Sequence, residues 1–215
     1  MDSTNLPVDL SPCSELLYAE SMSVVDVDPG QLGRALRGLA PQSTLRLHGE
    51  QAGGFTLSTP VHLVGDATLV GTWWGPVLCV RASVTLEGLT LQGGRGLNGG
   101  ALSLLDGELR GSGLRVTGGF AMAGGGIFVG PGTQAWLEGC SVVSNRARCG
   151  GGIAVEGGQL HLSECTVSDN RAWITGSGIA LRGAAMVKLL DCYPVDNLGP
   201  GQVEAEDLES RVEVV

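Results

Sequence analysis

The sequence predicts an all-β chain wound as a solenoid of about seven stacked rungs, with a short capping helix at its N-terminal end. Three observations predict it. One phrase is said three times, as Gly125-Gly126-Ile127-Phe128-Val129, Gly151-Gly152-Ile153-Ala154-Val155 and Ser177-Gly178-Ile179-Ala180-Leu181. The step from Ile127 to Ile153 equals that from Ile153 to Ile179, and Ala101 lies one such step upstream. A second phrase, Gly139-Cys140-Ser141-Val142, Glu164-Cys165-Thr166-Val167 and Asp191-Cys192-Tyr193-Pro194-Val195, recurs at nearly the same step, and Leu114 and Leu89 continue its cysteine series upstream. Glycine supplies 36 of 215 residues, in phase with the repeat and alternating with Val, Ile and Leu, so it marks a tight turn in each repeat rather than disorder. Two interleaved anchors per period require at least two short strands per repeat, stacked into one elongated body.

Composition narrows the function classes. A net charge of −9 argues against general nucleic-acid binding and against adhesion to an anionic membrane. The apolar runs are broken by Gly, Arg or Asp before they reach membrane-spanning length, so no membrane insertion is expected. Aromatic residues make up 4%, so the core must be aliphatic. Met1 to Pro7 has neither a basic n-region nor an apolar h-region, which points to the cytoplasm for the chain as written, or to the cell surface if it was trimmed from a longer one.

Six cysteines are too few for a disulfide scaffold. Cys140, Cys165 and Cys192 share one phase of the repeat and should form an internal ladder of small buried side chains about 4.8 Å apart. Cys13, Cys79 and Cys149 have no evident mates, and no Cys or His pair has metal-ligand spacing, so neither a metal nor a cofactor is expected.

In chain order, residues 1–42 read as an N-terminal segment and cap helix, 43–197 as the solenoid and 198–215 as an acidic tail or cap. Leu16-Leu17-Tyr18 and Val24-Val25-Asp26-Val27 each suit a short strand or a turn of helix. Asp28-Pro29 offers an N-cap with proline at the first helical position, and Leu32, Leu36 and Leu39 give one apolar stripe, predicting a helix over about 29–39. Rungs then open at Ser43, Val61, Val84, Leu109, Ala135, Leu160 and Met186, each with alternating apolar and polar residues, and the seventh dissolves after Asn197. In the tail, Val212-Glu213-Val214-Val215 is placed to pair with the last rung and to blunt an open edge.

The helix, the line Pro41-Gln42-Ser43-Thr44-Leu45-Arg46-Leu47-His48-Gly49 and then Val61-His62-Leu63-Val64-Gly65-Asp66 resemble the N-terminal part of the pectin-lyase-like superfamily. The later rungs, with Ser144-Asn145-Arg146-Ala147 and Asp169-Asn170-Arg171-Ala172 between the Gly-Gly-Ile phrases, resemble polymorphic outer-membrane-type repeats of bacterial surface proteins. The resemblance spans roughly residues 28–197. It implies a single-stranded right-handed parallel β-helix, a hand also favoured for parallel crossovers in general. It says little of function, because that scaffold hosts lyases, hydrolases, epimerases, adhesins and spikes.

Several residues are candidates for function. The local signatures of pectate-lyase-like and galacturonase-like sites, an Asp-Asp pair, Gly-His-Gly or Arg-x-Lys, do not occur. Glu87, Glu138 and Glu164 fall near one phase, which leaves Glu138 and Glu164, with Arg146 and Arg171 nearby, as the catalytic alternative of a divergent polysaccharide lyase or glycoside hydrolase; solvated turn carboxylates are the plainer reading. His48, His62 and His161 are dispersed and read as surface residues. Asn145, Asn170 and Asn197 recur as a corner ladder. The loop between the two anchors carries Trp73 and Trp74, then Arg95, Phe120, Arg146 with Arg148, and Arg171 with Trp173. Stacked, these make an Arg/Trp ridge on an acidic rod, with Arg95, Arg146, Arg148, Arg171, Trp74 and Trp173 as the ligand-binding set. The expected function is a non-catalytic solenoid that binds a protein or glycan partner, alone or as part of a larger assembly.

Overall fold

A computed structural model describes residues 24–207 and 209–215; Cys13 and the Leu16-Leu17-Tyr18 segment lie outside them. Three walls of parallel strands enclose a single aliphatic core. The first wall has nine strands in spatial order, Val24–Val27, Ser43–Leu47, Val61–Gly65, Val84–Glu87, Glu108–Ser112, Gln134–Glu138, Gln159–Ser163, Met186–Leu190 and Arg211–Val214. A six-stranded wall runs from Glu50–Ala52 to Thr166–Ser168, and a seven-stranded wall from Phe55–Leu57 to Val203–Ala205. Each rung opening expected from the sequence falls in the first wall.

Alternation explains the enclosure. Val61, Val84, Leu109, Ala135, Leu160 and Val187 share one register column and are all buried, and Leu63, Leu86, Leu137, Leu162 and Leu189 do the same two residues on. Because side chains alternate across a strand, the residues between these columns face outward. The core is the expected aliphatic one.

Six turns are complete rather than seven. The seventh opens with Met186–Leu190, but Pro194 stands where the preceding turn has Val167, and only the isolated bridges Ser168↔Val195 and Arg171↔Leu198 follow. A proline has no N–H for the ladder, so the six-stranded wall ends one strand early. The acidic tail rejoins two walls: Val203–Ala205 pairs with Ile179–Arg182, and Val212 and Val214 align with Val187 and Leu189 as expected.

The capping helix is shorter than the sequence suggests, Leu32–Ala35, with Gln31 rather than Asp28 at its N-cap. Gly30 and Gly38, at φ of 75° and 81°, bracket it in left-handed backbone that a helix cannot continue through. Its apolar stripe holds: Leu32 is fully buried, with Leu36 and Leu39 packed on the core. Buried Gln51 ties the cap down, accepting from the Leu32 N–H at 3.0 Å and donating to the carbonyls of Asp28 and His48.

Two polar ladders hold the corners. Asn145 Nδ2 donates to Asn170 Oδ1, and Asn170 Nδ2 to Asn197 Oδ1, each at 3.0 Å; Gln202 Oε1 closes the series, accepting from Asn197 Nδ2 at 2.8 Å. The cysteines stack as expected, reduced and buried, with the Cys140 N–H donating to Cys165 Sγ at 3.4 Å. Contact with the Cys165 sulfur and burial push the Cys140 thiol up, and burial pushes Cys192 up to about 11.

A fourth sheet was not foreseen as a sheet. Arg95–Asn98, Phe120–Ala123, Arg146–Cys149 and Arg171–Thr175 pair in parallel between the six-stranded and seven-stranded walls. Each strand is an excursion from the solenoid, which we call the fin. A Cβ on Gly94 would strike the carbonyl of Gly100, so the chain leaves and returns at nearly one point. A Cβ on Gly100 would in turn strike Gly125 O, on Gly125 the carbonyl of Gly151, and on Gly151 that of Ser177. That backbone contact is the reason for the Gly-Gly-Ile phrase.

Candidate interaction surface

The fin brings the expected ridge together. Arg95, Phe120, Arg146 and Arg171 occupy one register column on four successive strands. Alternation places Leu97, Met122, Arg148 and Trp173 on the same outward face, two residues further along each strand. The rings and guanidinium groups interlock: Arg95 lies 5.4 Å from the Trp73 ring and 5.2 Å from Phe120, Phe120 meets Trp173 edge-on at 6.0 Å, and Arg171 lies 5.7 Å from Trp173. Trp74 projects beside them, 91% exposed.

Charge sets this face apart. The four fin strands carry four arginines and no Asp or Glu, in a chain with a net charge of −9. None of the four arginines makes an ion pair among the described residues, whereas Arg46, Arg110, Arg182 and Lys188 each meet a carboxylate. The face is also apolar: Trp73, Trp74, Leu97, Phe120, Met122, Trp173 and Ile174 are exposed there.

Hollows flank the fin. On its six-stranded side, an open depression of about 410 Å³ has a floor of Gly93, Gly94, Gly118 and Gly119 and walls of Trp73, Arg95, Phe120 and Arg146. On its seven-stranded side lie two separate basins. The larger, about 660 Å³, is lined by Trp73, Trp74, Pro76, Leu97 and Phe120 over Cys79 and Ser103. The smaller, about 300 Å³, is lined by Met122, Ile174, Arg148 and Cys149 from the fin over Ala154 and Ala180, together with Glu156, Arg182 and Glu206. Burial pushes the Cys149 thiol up, so it sits in this basin as a neutral group.

Glu138 and Glu164 are differently placed. Glu138 faces outward on the nine-stranded wall, in register with Ser163, and lines a groove of about 520 Å³ with Glu87, Arg110, Trp136, His161 and Lys188. Glu164, one residue past Ser163, lies at φ 53° in the corner turn, outside that lining. The sequence reading missed the column beside Glu138. Arg110, Trp136, His161 and Lys188 are in register, with Arg110 4.7 Å from the Trp136 ring and His161 stacked on it at 5.6 Å and 11°. The signal was present, since each of these residues is the second or third in its rung opening.

Among the described residues, no group of three or more His, Cys, Asp or Glu is placed to hold a metal ion, and no helix is long and apolar enough to cross a membrane. No family model and no curated protein matches the chain. Among solved structures, the crystal structure of an alginate lyase from Paenibacillus sp. str. FPU-7 aligns at 13% identity with a TM-score of 0.47, over 84% of this chain and 99% of that one. The strand register carries the assignment of fold by itself: the chain is an all-β parallel solenoid of about six turns.

Proposed function

We propose that the chain is a non-catalytic interaction module whose fin docks a partner protein with an acidic surface. One observation carries this reading. The fin gathers exposed aromatic residues and four arginines that make no ion pair among the described residues on a sheet whose strands carry no carboxylate. Arginine, tryptophan and methionine are the residues enriched at the centres of protein interfaces. Exposed aliphatic Leu97, Met122 and Ile174 among them favour a protein over a glycan, which would be held through ring stacking and hydrogen bonds. The test is capture from a lysate by the wild-type chain and by Arg146→Ala/Arg171→Ala/Trp173→Ala, with a glycan array in parallel. A protein held by the first and lost by the second supports the reading; a glycan lost in the variant would make the fin a sugar site.

A second reading, a carbohydrate-active enzyme, has one observation in its favour. Glu87 and Glu138 share an outward column with Ser112 between them, so their backbones stand about 10 Å apart. Inverting glycosidases hold their two carboxyl groups roughly 6.5–9.5 Å apart. Glu87 is engaged by His62 at 3.2 Å. Polysaccharide turnover that disappears in Glu138→Gln would establish this reading.

A further inference from the structure

The hollow on the six-stranded side of the fin gathers two arginines and no carboxylate. Trp73, Arg95, Phe120 and Arg146 wall it, and no Asp or Glu lines it. Its floor follows one corner column: Gly93, Gly118, Ser144 and Asp169 each come directly after a strand of the six-stranded wall, at φ of 78°, 71°, 58° and 56°. Left-handed backbone favours glycine, yet Ser144 and Asp169 hold it with side chains. Packing does not demand glycine at the first two positions either. A Cβ on Gly93 would meet nothing closer than 3.9 Å, and one on Gly118 nothing closer than 3.5 Å. The two glycines therefore leave the floor bare where Arg95 and Arg146 stand, and Asp169 comes one rung past Ser144, outside the lining. The wall alongside is neutral too, with Val70, Gln92, Thr117, Val143 and Ser168 in its nearest outward column.

Arg95 is pre-set for an anion. Its guanidinium lies over Trp73 at 5.4 Å and over Phe120 at 5.2 Å, so the rings cover its faces while its N–H groups, which lie in its plane, stay open. Arg146 stands two strands further along the same column, about 9.6 Å away by backbone. Neither arginine makes an ion pair among the described residues. We propose that the hollow is a phosphate site that takes one phosphorylated side chain of the partner protein, with Arg95 and Arg146 closing on the phosphoryl oxygens from either end. This rests on the fin being a protein-docking surface. A carboxylate has two oxygens and one charge, enough for a single guanidinium fork. A phosphate monoester has three free oxygens and a charge of about −1.5 to −2 at neutral pH, and so serves two arginines at once.

The test measures, by fluorescence polarisation, the affinity of the purified chain for degenerate peptide pools that carry one phosphotyrosine, one phosphoserine, or the same residues unphosphorylated. Gly118→Asp places a carboxylate on the bare floor, at a corner position where Asp169 shows that the fold accepts one. Arg146→Ala removes one of the two cations, and Arg171→Ala, on the fin but outside the lining, is the control. The expected result is binding of a phosphorylated pool, displaced by inorganic phosphate and weakened about tenfold or more by Gly118→Asp and by Arg146→Ala, with Arg171→Ala within about threefold of the wild type. Affinity should also fall as pH drops from about 7.5 to about 5, because the phosphate takes up a proton near pH 6 while the arginines keep theirs. Three results overturn the inference: equal binding of phosphorylated and unphosphorylated pools, no binding of either phosphorylated pool, or a loss with Arg171→Ala as large as with Arg146→Ala. The fin reading fails separately. It falls if Arg146→Ala/Arg171→Ala/Trp173→Ala keeps the lysate partners, and it survives a hollow that ignores phosphate if that variant loses them.

Discussion

Arg146 and Arg171 stand at the same register position on neighbouring strands of the fin, two like charges one rung apart with no carboxylate in either strand. Like charges directly opposite each other destabilise a sheet, so this pair works against the fold that displays it. Arg146→Gln should therefore raise stability slightly, by about 0.2–1 kcal/mol at low ionic strength and by less in high salt. The same change should weaken capture of a partner. Thermal unfolding at two salt concentrations, run beside a binding assay, checks both.

The asparagine ladder should be far less forgiving. Asn170 is fully buried; its Oδ1 accepts from the Asn145 backbone N–H and Nδ2, while its Nδ2 donates to Val142 O at 2.8 Å and to Asn197 Oδ1. Asn170→Ala would leave the buried Asn145 N–H without its acceptor and remove one partner each from Val142 O, Asn145 Nδ2 and Asn197 Oδ1, and a buried unsatisfied group costs about 1–3 kcal/mol. Denaturant unfolding should show a loss at the upper end of that range or beyond. Asn170→Asp should also destabilise, because it turns an oxygen toward the Val142 carbonyl.

Glu164 occupies a corner position that glycine fills on three earlier turns. Gly88, Gly113, Gly139 and Glu164 lie at φ of 71°, 60°, 57° and 53°. A non-glycine residue in left-handed backbone costs roughly 1–2 kcal/mol. Glu164→Gly should stabilise by up to about 1 kcal/mol, after allowance for the freer unfolded chain, and should leave partner binding unchanged. Loss of function in that variant would return Glu164 to the catalytic candidates.

Alkaline pH should unlock the cysteine corner. Burial raises the folded Cys192 pKa from 9.0 to about 11, so the folded state holds its proton where the unfolded chain releases it. The associated stability is complete below pH 9 and is lost as pH rises from 9 to 11. Melting temperature should fall across that window in the wild type, and less steeply in Cys192→Ala. Parallel curves would show that the thiol titrates freely.

The solenoid was legible because its inward columns are long and regular: Val61, Val84, Leu109, Ala135, Leu160 and Val187 each stand in an alternating run. The fin was legible only as a cluster of loop residues. Its strands bury small alanines, Ala121, Ala147 and Ala172, between exposed residues, a pattern with little apolar contrast. The Arg110–Trp136–His161–Lys188 column was missed for a related reason, since its members are separated by a full repeat of the chain and meet only through register. The sequence already sets Glu164 one place later in its repeat than Glu138, and that offset puts it in the turn. The cap helix was overextended because Gly30 and Gly38 act through backbone conformation, which apolar spacing does not reveal.

The most direct test of the fin as the functional surface compares two faces of one rod. The wild-type chain, the fin variant Arg146→Ala/Arg171→Ala/Trp173→Ala and the opposite-wall variant Arg110→Ala/Trp136→Ala/His161→Ala would each be used to capture partners from the same lysate. The expected result is that the fin variant loses the proteins the wild type holds, while the opposite-wall variant keeps them. Retention by the fin variant with loss by the other would move the functional surface to the nine-stranded wall and contradict the assignment.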